Sequence, residues 1–330
     1  MSHYKHLTTN ERESILKFLS EGKSMRSMSR LLGRSPSTIS RELRRNSSGE
    51  YWPSEACRRY RQRREKCRRR RILDDPEKKL YVQHKIIDDQ WSPEQIAGRA
   101  RRKKRVFQAS VTTIYRAIRA HRLETHKLSN KERGIVLCLR RKGKRRLHSR
   151  DEETRGKIRI SHTIDERPAG ANDRTEFGHF EADTVQGTRG GACLLTLVER
   201  KTRYLIAVKL DSAKAKHVCQ ALLKIASTLP PGTIKSITPD RGKEFAWHAK
   251  VTEALGVEFY FPPPHAPWAR GTNENTNGLL REYLPKKKSM RHLSDDALAR
   301  IVRKINNRPR KILHWASPDE CFSPWVLHLT

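Results

Sequence analysis

The chain has 330 residues, enough for two or three domains, and carries 71 Lys and Arg against 36 Asp and Glu, a net charge of +35. Such a surface attracts phosphate backbones through counterion release, whereas apolar runs of only a few residues exclude a membrane-spanning helix. The opening residues contain no apolar secretion signal, so a cytoplasmic protein with no membrane partner is expected. The charge is uneven: residues 1–170 hold 46 basic and 20 acidic side chains, residues 171–330 only 25 and 16. The front half reads as grip on nucleic acid and the back half as chemistry. Six cysteines at 57, 67, 138, 193, 219 and 321 show no CxxC and no regular framework, which points to reduced thiols rather than zinc or disulfides.

Thr8 and Glu11 have capping-box spacing, and Ile15, Phe18 and Leu19 follow as an apolar helical stripe that ends at Gly22. A second short helix carries Met25, Met28, Leu31 and Leu32 and stops at Gly33. Ser35-Pro36 opens a third helix with Ile39 and Leu43 facing inward and Ser37, Thr38, Arg41 and Arg44 outward. Three short helices with a glycine turn before the third predict a helix-turn-helix domain over 1–50, its third helix entering the major groove. From Arg58 to Arg71, ten of fourteen residues are Arg or Lys, too one-sided for i,i+4 pairing; 51–75 reads as a basic linker that tracks phosphates.

Trp91-Ser92-Pro93-Glu94 again has helix-start order, and Ser110 to Ile118 opens another helix with Thr112 and Arg116 on its outer side. Residues 76–125 are therefore expected to form a second helix-turn-helix-like module, with a helical spacer as the plainer reading. Residues 126–170, with RRKGKRR at 140–146, read as a second basic linker.

From Gly178 the texture changes. Strands are predicted at His179–Val185, Cys193–Val198, Tyr204–Val208, Ile234–Thr238 and Val257–Phe261. An amphipathic helix spans 214–229, another runs to Leu255, a third opens near Thr272, and two more cap the domain at 294–306 and 317–322. Three antiparallel strands, then helix, strand, helix, strand, helix, is the order of a ribonuclease-H-like α/β fold over 171–330.

The chemistry gathers on three acids. Asp183 lies on the first strand and Asp240 ends the fourth, two strands that lie side by side in such a sheet. Glu274 opens the helix that follows, the only acid between Glu258 and Glu282. Asp in a Pro-Asp-Arg-Gly turn is ordinarily a turn former, and Glu in a first turn ordinarily complements the helix dipole. The trio together points instead to carboxylates holding two Mg²⁺ or Mn²⁺ ions per active site, which suit hard oxygen ligands and phosphoryl transfer. His179, Glu181 and Asp183 alternate on one strand and share a face, making His179 and Glu181 candidates for supporting the site and Glu181 a rival for the metal. Glu199 and Glu244 read as ion-pair partners of nearby Lys and Arg. Trp268, Arg270 and Asn275 are placed to position DNA, Trp268 by stacking unless it belongs to a core, and Lys286, Lys287 and Lys288 to hold phosphates.

The segments GHFEADTVQG, VERKTRY, ITPDRGKEF and PHAPWARGTNENTNGLLREYLPK resemble the catalytic domain of bacterial DDE transposases of the insertion-sequence-thirty (IS-30) family. LTTNERESI and LLGRSPSTISRELRRN resemble that family's helix-turn-helix, and YWPSEA and WSPEQIAGR its second module, so the likeness covers nearly the whole chain. Where the family usually has Trp-Glu-Gly-Asp, this chain reads Phe180-Glu181-Ala182-Asp183, keeping the acid. The resemblance implies a retroviral-integrase-like catalytic domain with Asp183, Asp240 and Glu274 as its triad. It implies binding to double-stranded DNA at terminal inverted repeats, metal-dependent cleavage and strand transfer to target DNA, a homo-oligomer on DNA, and a bacterial, nucleoid-associated setting. A nuclease or integrase on the same fold, or a domesticated DNA-binding repressor, are the alternatives.

Overall fold

The computed structural model describes residues 5–46, 49–67, 71–103, 109–125, 134–140, 158–188, 190–263 and 271–329. The chain divides into two compact units, Met1–Arg71 and Ile72–Thr330.

The first unit contains α1 (Thr9–Ser20), α2 (Met25–Leu32), α3 (Pro36–Asn46) and α4 (Pro53–Lys66). The capping box forms: the Glu11 amide donates to Thr8 Oγ1 at 3.2 Å and the Thr8 amide to Glu11 Oε2 at 2.7 Å. Gly33, at φ 62°, closes α2 in the left-handed conformation that glycine adopts without strain. Ile15, Met28 and Ile39 form the core together with Tyr51 and Ala56. Met25 and Leu31, expected on the apolar stripe, are instead 48% and 56% exposed, because so short a helix turns only Met28 fully inward. The stretch 51–75, expected as a linker, carries α4, and buried Tyr51 and Ala56 make it part of this unit's core. Inside, Arg12 Nε meets Glu42 Oε1 at 2.7 Å, with a second guanidinium bond to the Leu7 carbonyl at 3.0 Å.

The second unit opens with α5 (Pro76–Ile87), α6 (Pro93–Arg102) and α7 (Val111–Arg119), packed through Val82, Ile86, Ile96, Ile114 and Ile118. Ser92 and Ser110 cap α6 and α7, accepting from Gln95 N at 3.2 Å and Thr113 N at 3.1 Å. Then follow β1 (His162–Thr163), α8 (Ala169–Asn172), β2 (His179–Gln186), β3 (Cys193–Glu199), β4 (Leu205–Leu210), α9 (Ala215–Ser227), β5 (Ser236–Thr238), α10 (His248–Leu255), β6 (Glu258–Phe261), α11 (Gly271–Tyr283), α12 (Asp295–Asn306) and α13 (Pro318–Leu327).

The sheet order is β1-β6-β5-β2-β3-β4, with β2, β3 and β4 antiparallel and β1, β6, β5 and β2 parallel. β1 lies inside the stretch expected as the second linker; two residues are too few to show alternation, and only its pairing with β6 reveals it. Period-two alternation divides the two faces. Phe180, Ala182, Leu195 and Leu197 pack toward α9, α10 and Phe322 of α13. Val185, Leu194 and Val198 pack toward Leu279 and Leu280 of α11 and Leu298 and Ile305 of α12.

The helical module of the second unit is seated on the segment between α12 and α13. Gln95 donates to the Pro309 carbonyl at 3.0 Å, Arg99 to Trp315 O at 2.9 Å and Arg102 to His314 O at 3.0 Å. Arg99 also forks onto the Glu320 carboxylate, with one bond of 2.7 Å. His314 and Trp315 both hold left-handed φ values, 50° and 65°, in the turn that offers these carbonyls. Gly98 lets the Trp315 indole lie against α6: a Cβ there would stand 2.2 Å from the ring.

Gly98→Ala is therefore expected to lower the thermal midpoint, by overpacking on the order of 1–3 kcal/mol, with the deficit seen by calorimetry. The seat is also pH-sensitive. The Arg99 hydrogen bond holds the Glu320 carboxyl at about 2, below its usual 4.5. A depressed carboxyl adds stability above its unfolded value and loses it as pH falls toward the folded one. The midpoint difference between the natural chain and Glu320→Gln should thus be full near neutrality and shrink between pH 4.5 and about 2.

Candidate active site

Two parallel strands and one helix bring the predicted acids into one region. The β2–β5 ladder pairs His179 with Ser236, Phe180 with Ile237 and Glu181 with Thr238. Asp183 and Asp240 each lie two residues past the last of these pairs, at matching positions along neighbouring chains. By alternation Asp183 faces the α11 side of the sheet, where Glu274 sits exposed in the first turn of α11.

Asp183 is held on both oxygens: Oδ1 accepts from Thr184 N at 2.8 Å and Oδ2 from Asn277 Nδ2 at 2.9 Å. Thr196, opposite Asp183 on β3, donates to the Asp183 carbonyl at 3.1 Å and lies 3.4 Å from Asn277 Oδ1. Asp240 is buried and accepts from Gly242 N at 3.0 Å. The Asp240 and Glu244 carboxylates close in over Gly242, where a Cβ would stand 2.8 Å from Asp240 Oδ1 and 2.3 Å from the Glu244 carboxylate, so a larger residue would shift them. Thr184 in turn donates to Glu244 at 2.8 Å, joining the loop after β5 to β2.

Glu181 is wholly buried, and its carboxylate is already engaged. One oxygen receives the Arg200 guanidinium; the other accepts from the backbone amide of Asn273 at 2.8 Å. It therefore fixes the start of α11 onto β2, with the Arg200 cation already balancing its charge. His179 bridges Ser236 Oγ at 2.7 Å and Glu176 at 3.2 Å, with burial lowering its pKa. Glu199, expected as an ion-pair partner, instead accepts from Gly178 N, Thr202 N and the Thr202 hydroxyl. Glu244 takes a hydroxyl in the same way.

The expected nucleic-acid contacts fall on several surfaces. On α3, Ser37, Arg41 and Arg44 are exposed and Thr38 half-buried, with Arg41 folded back onto the Ser37 carbonyl at 2.9 Å. On α7, Thr112 and Arg116 are exposed. Asn275 is exposed on α11, 3.5 Å from Arg140. Lys286, Lys287 and Lys288 are exposed after α11, where the Lys288 carbonyl closes over Gly187 at the exit of β2. Trp268 and Arg270 lie outside the described residues.

Asn277 and Thr196 escaped the sequence reading. The signal for Asn277 was present, since it follows Glu274 at i,i+3 spacing, which sets both on one side of a helix; Thr196 reaches the site only through the β2–β3 register.

Residues 3–46 match a helix-turn-helix domain model and residues 173–267 the integrase core domain. The transposase InsI for insertion sequence element IS30A of Escherichia coli K12 is 40% identical over 96% of this chain and 82% of its own length. The transposase for insertion sequence element IS1086 of Cupriavidus metallidurans is 38% identical, over 96% of this chain and 93% of that one. The transposase for insertion sequence element IS4351 of Bacteroides fragilis is 35% identical, over 96% and 95%. The protein is a DNA transposase, a DDE-type polynucleotidyl transferase with a helix-turn-helix domain and a ribonuclease-H-like integrase core. Within that class the chain belongs to the IS30 family of insertion-sequence transposases.

An integrase core implies dependence on a divalent metal. Asp183 and Asp240 present carboxylate oxygens, the donor type such ions take. Among the described residues, no three His, Cys, Asp or Glu groups are placed to hold one ion together, and no helix is long and apolar enough to cross a membrane. Asn277→Ala is expected to reduce DNA cleavage by about 10- to 100-fold and to raise the metal concentration needed for half-maximal cutting, as loss of a group orienting a ligand does.

Proposed function

We propose that the protein binds the terminal inverted repeats of an insertion sequence, hydrolyses the 3′ ends and joins each freed 3′-OH to target DNA. The observation that carries this reading is the parallel β2–β5 ladder, which brings Asp183 and Asp240 to matching positions on neighbouring strands, Asp183 being bonded to the helix that bears Glu274. We assign Asp183, Asp240 and Glu274 as the catalytic acids and as ligands for two Mg²⁺ or Mn²⁺ ions. Bound there, such ions would activate the attacking oxygen and stabilise the leaving one.

The chain's own residues set the geometry. Asn277 and Thr184 N hold the Asp183 carboxylate in one orientation, Gly242 N fixes Asp240, and Glu181 sets where α11 begins. The Glu274 side chain is exposed in the first turn of α11, and on this reading it turns inward when metal and DNA are present. Arg281 adds a donor to the Gln186 carbonyl at 2.8 Å, tying the far end of the same helix to β2.

On this reading Ser37, Thr38, Arg41 and Arg44 on α3 meet DNA in the major groove, and Thr112 and Arg116 on α7 form a second contact. Asn275, Lys286 and Lys287 track the strand near the cut, as do Trp268 and Arg270. Two element ends must be held at once, which calls for a homo-oligomer on DNA, in the cytoplasm at the nucleoid.

Glu274→Gln keeps the shape of the side chain and removes its charge. In a Mg²⁺-dependent assay on labelled repeat-end DNA, the natural chain should nick and join while Glu274→Gln binds equally and does neither. Binding without cutting by both would leave the chain a DNA-binding repressor; cutting without joining would make it a nuclease.

A further inference from the structure

Around the first turn of α11 the second unit gathers more guanidinium than carboxylate. Arg200 is bonded to Glu181. Arg167 donates at 3.3 Å to Thr238, the residue paired with Glu181 across the β2–β5 ladder. Arg203 is bonded to the hydroxyl of Thr272, whose neighbour Asn273 gives its amide to the same Glu181. Arg174 repels all three arginines.

Two acids bear on this cluster among the described residues. Glu181 is shared as above, and the Glu199 oxygens are taken by Gly178 N, Thr202 N and the Thr202 hydroxyl. Four cations thus face two anions in a largely buried setting. Burial, with repulsion between the arginines, lowers Arg167 and Arg203 each to about 10. Buried charge of one sign is ordinarily compensated by a partner or a ligand.

Three further features are left unexplained by the protein's own bonding. The Nε atoms of Arg174 and Arg203 are buried without a hydrogen-bond partner among the described residues. Both residues hold left-handed φ values, 60° and 65°, which arginine adopts only where its surroundings impose them. Asn273 is 1% exposed, and neither its Oδ1 nor its Nδ2 has a partner among the described residues.

We propose that Arg167, Arg174, Arg200, Arg203 and Asn273 form an anion seat for a backbone phosphate of the DNA being processed. Guanidinium forks match the geometry of phosphate oxygens, and the start of a helix adds its partial positive charge. The seat lies around Glu181, two residues from Asp183, and one residue from Glu274 through Asn273. It rests on the reading of the chain as a DNA transposase, and it adds to the exposed contacts near the cut a second hold on the strand, built at the start of α11. The free protein carries unbalanced charge there, and DNA supplies the balance.

The test uses the full chain in metal-free buffer, so that binding is measured without cutting. Arg174→Gln removes a guanidinium whose buried Nε has no hydrogen-bond partner among the described residues. It should weaken binding to repeat-end duplex and reduce the slope of log K against log salt by about one, as loss of one phosphate contact does. Its thermal midpoint without DNA should equal or exceed that of the natural chain, because a repelling charge has gone. Inorganic phosphate, exchanged for chloride at constant ionic strength, should raise the midpoint of the natural chain but not of the variant.

An unchanged salt slope in both Arg174→Gln and Arg203→Gln would overturn the proposal, as would a lowered midpoint in Arg174→Gln with unaltered DNA binding. Phosphate stabilisation with an unchanged DNA slope would make the seat one for a free anion and overturn the assignment to DNA. A fallen slope in a protein that never cuts would keep the seat and reject the transposase mechanism, so the two failures are separable.

Discussion

The site depends on one buried carboxylate. Glu181 holds Arg200 with one oxygen and the Asn273 amide with the other, at the point where α11 begins. Removing Arg200 would leave a buried charge uncompensated, and losing the Asn273 amide would leave an oxygen without its donor. The interaction therefore fixes where the helix starts along β2. Everything that follows from α11 inherits that position: Glu274 one residue on, Asn277 against Asp183, and the apolar pair Leu279 and Leu280 in the core beneath. An acid singled out from sequence beside Asp183 thus sets where the helix bearing Glu274 begins.

Charge is distributed in keeping with this. The chain is strongly basic, and several of its acids are engaged in holding arginines in place. Glu42 neutralises Arg12 inside the first unit, and Glu320 anchors Arg99 where the helical module meets the end of the second. Near α11 the acids run short, and arginines are left in excess. In a protein whose substrate is a polyanion, leaving that balance to the ligand weakens the free state and strengthens the bound one, a trade often made at functional sites.

Much of this was legible beforehand because the signals were local. Ser-Pro starts, capping boxes and glycine stops lie within a few residues of one another, and each marked a helix that formed. The strands of the core stood out as apolar runs bounded by turn residues, and the order of elements placed Asp183 beside Asp240. What stayed hidden is non-local or short. β1 spans two residues and exists only by pairing with β6. Arg99 and Glu320 are 221 residues apart, so no pattern joins them. Tyr51 and Ala56 sit in a stretch dominated by arginine, and their burial depends on helices earlier in the chain. Glu181 was rightly placed on the face of Asp183, but its partner Arg200 lies beyond a strand turn, out of reach of any spacing rule.

The central claim is that Asp183, Asp240 and Glu274 converge on metal when DNA is present. Anomalous diffraction from the protein bound to repeat-end DNA and Mn²⁺ tests it most directly. The account predicts manganese density bounded by the carboxylates of Asp183 and Asp240, with Glu274 turned inward from α11 to complete the set. Manganese held elsewhere, or by Asp240 with Glu244 while Asp183 stays on Asn277, would contradict it.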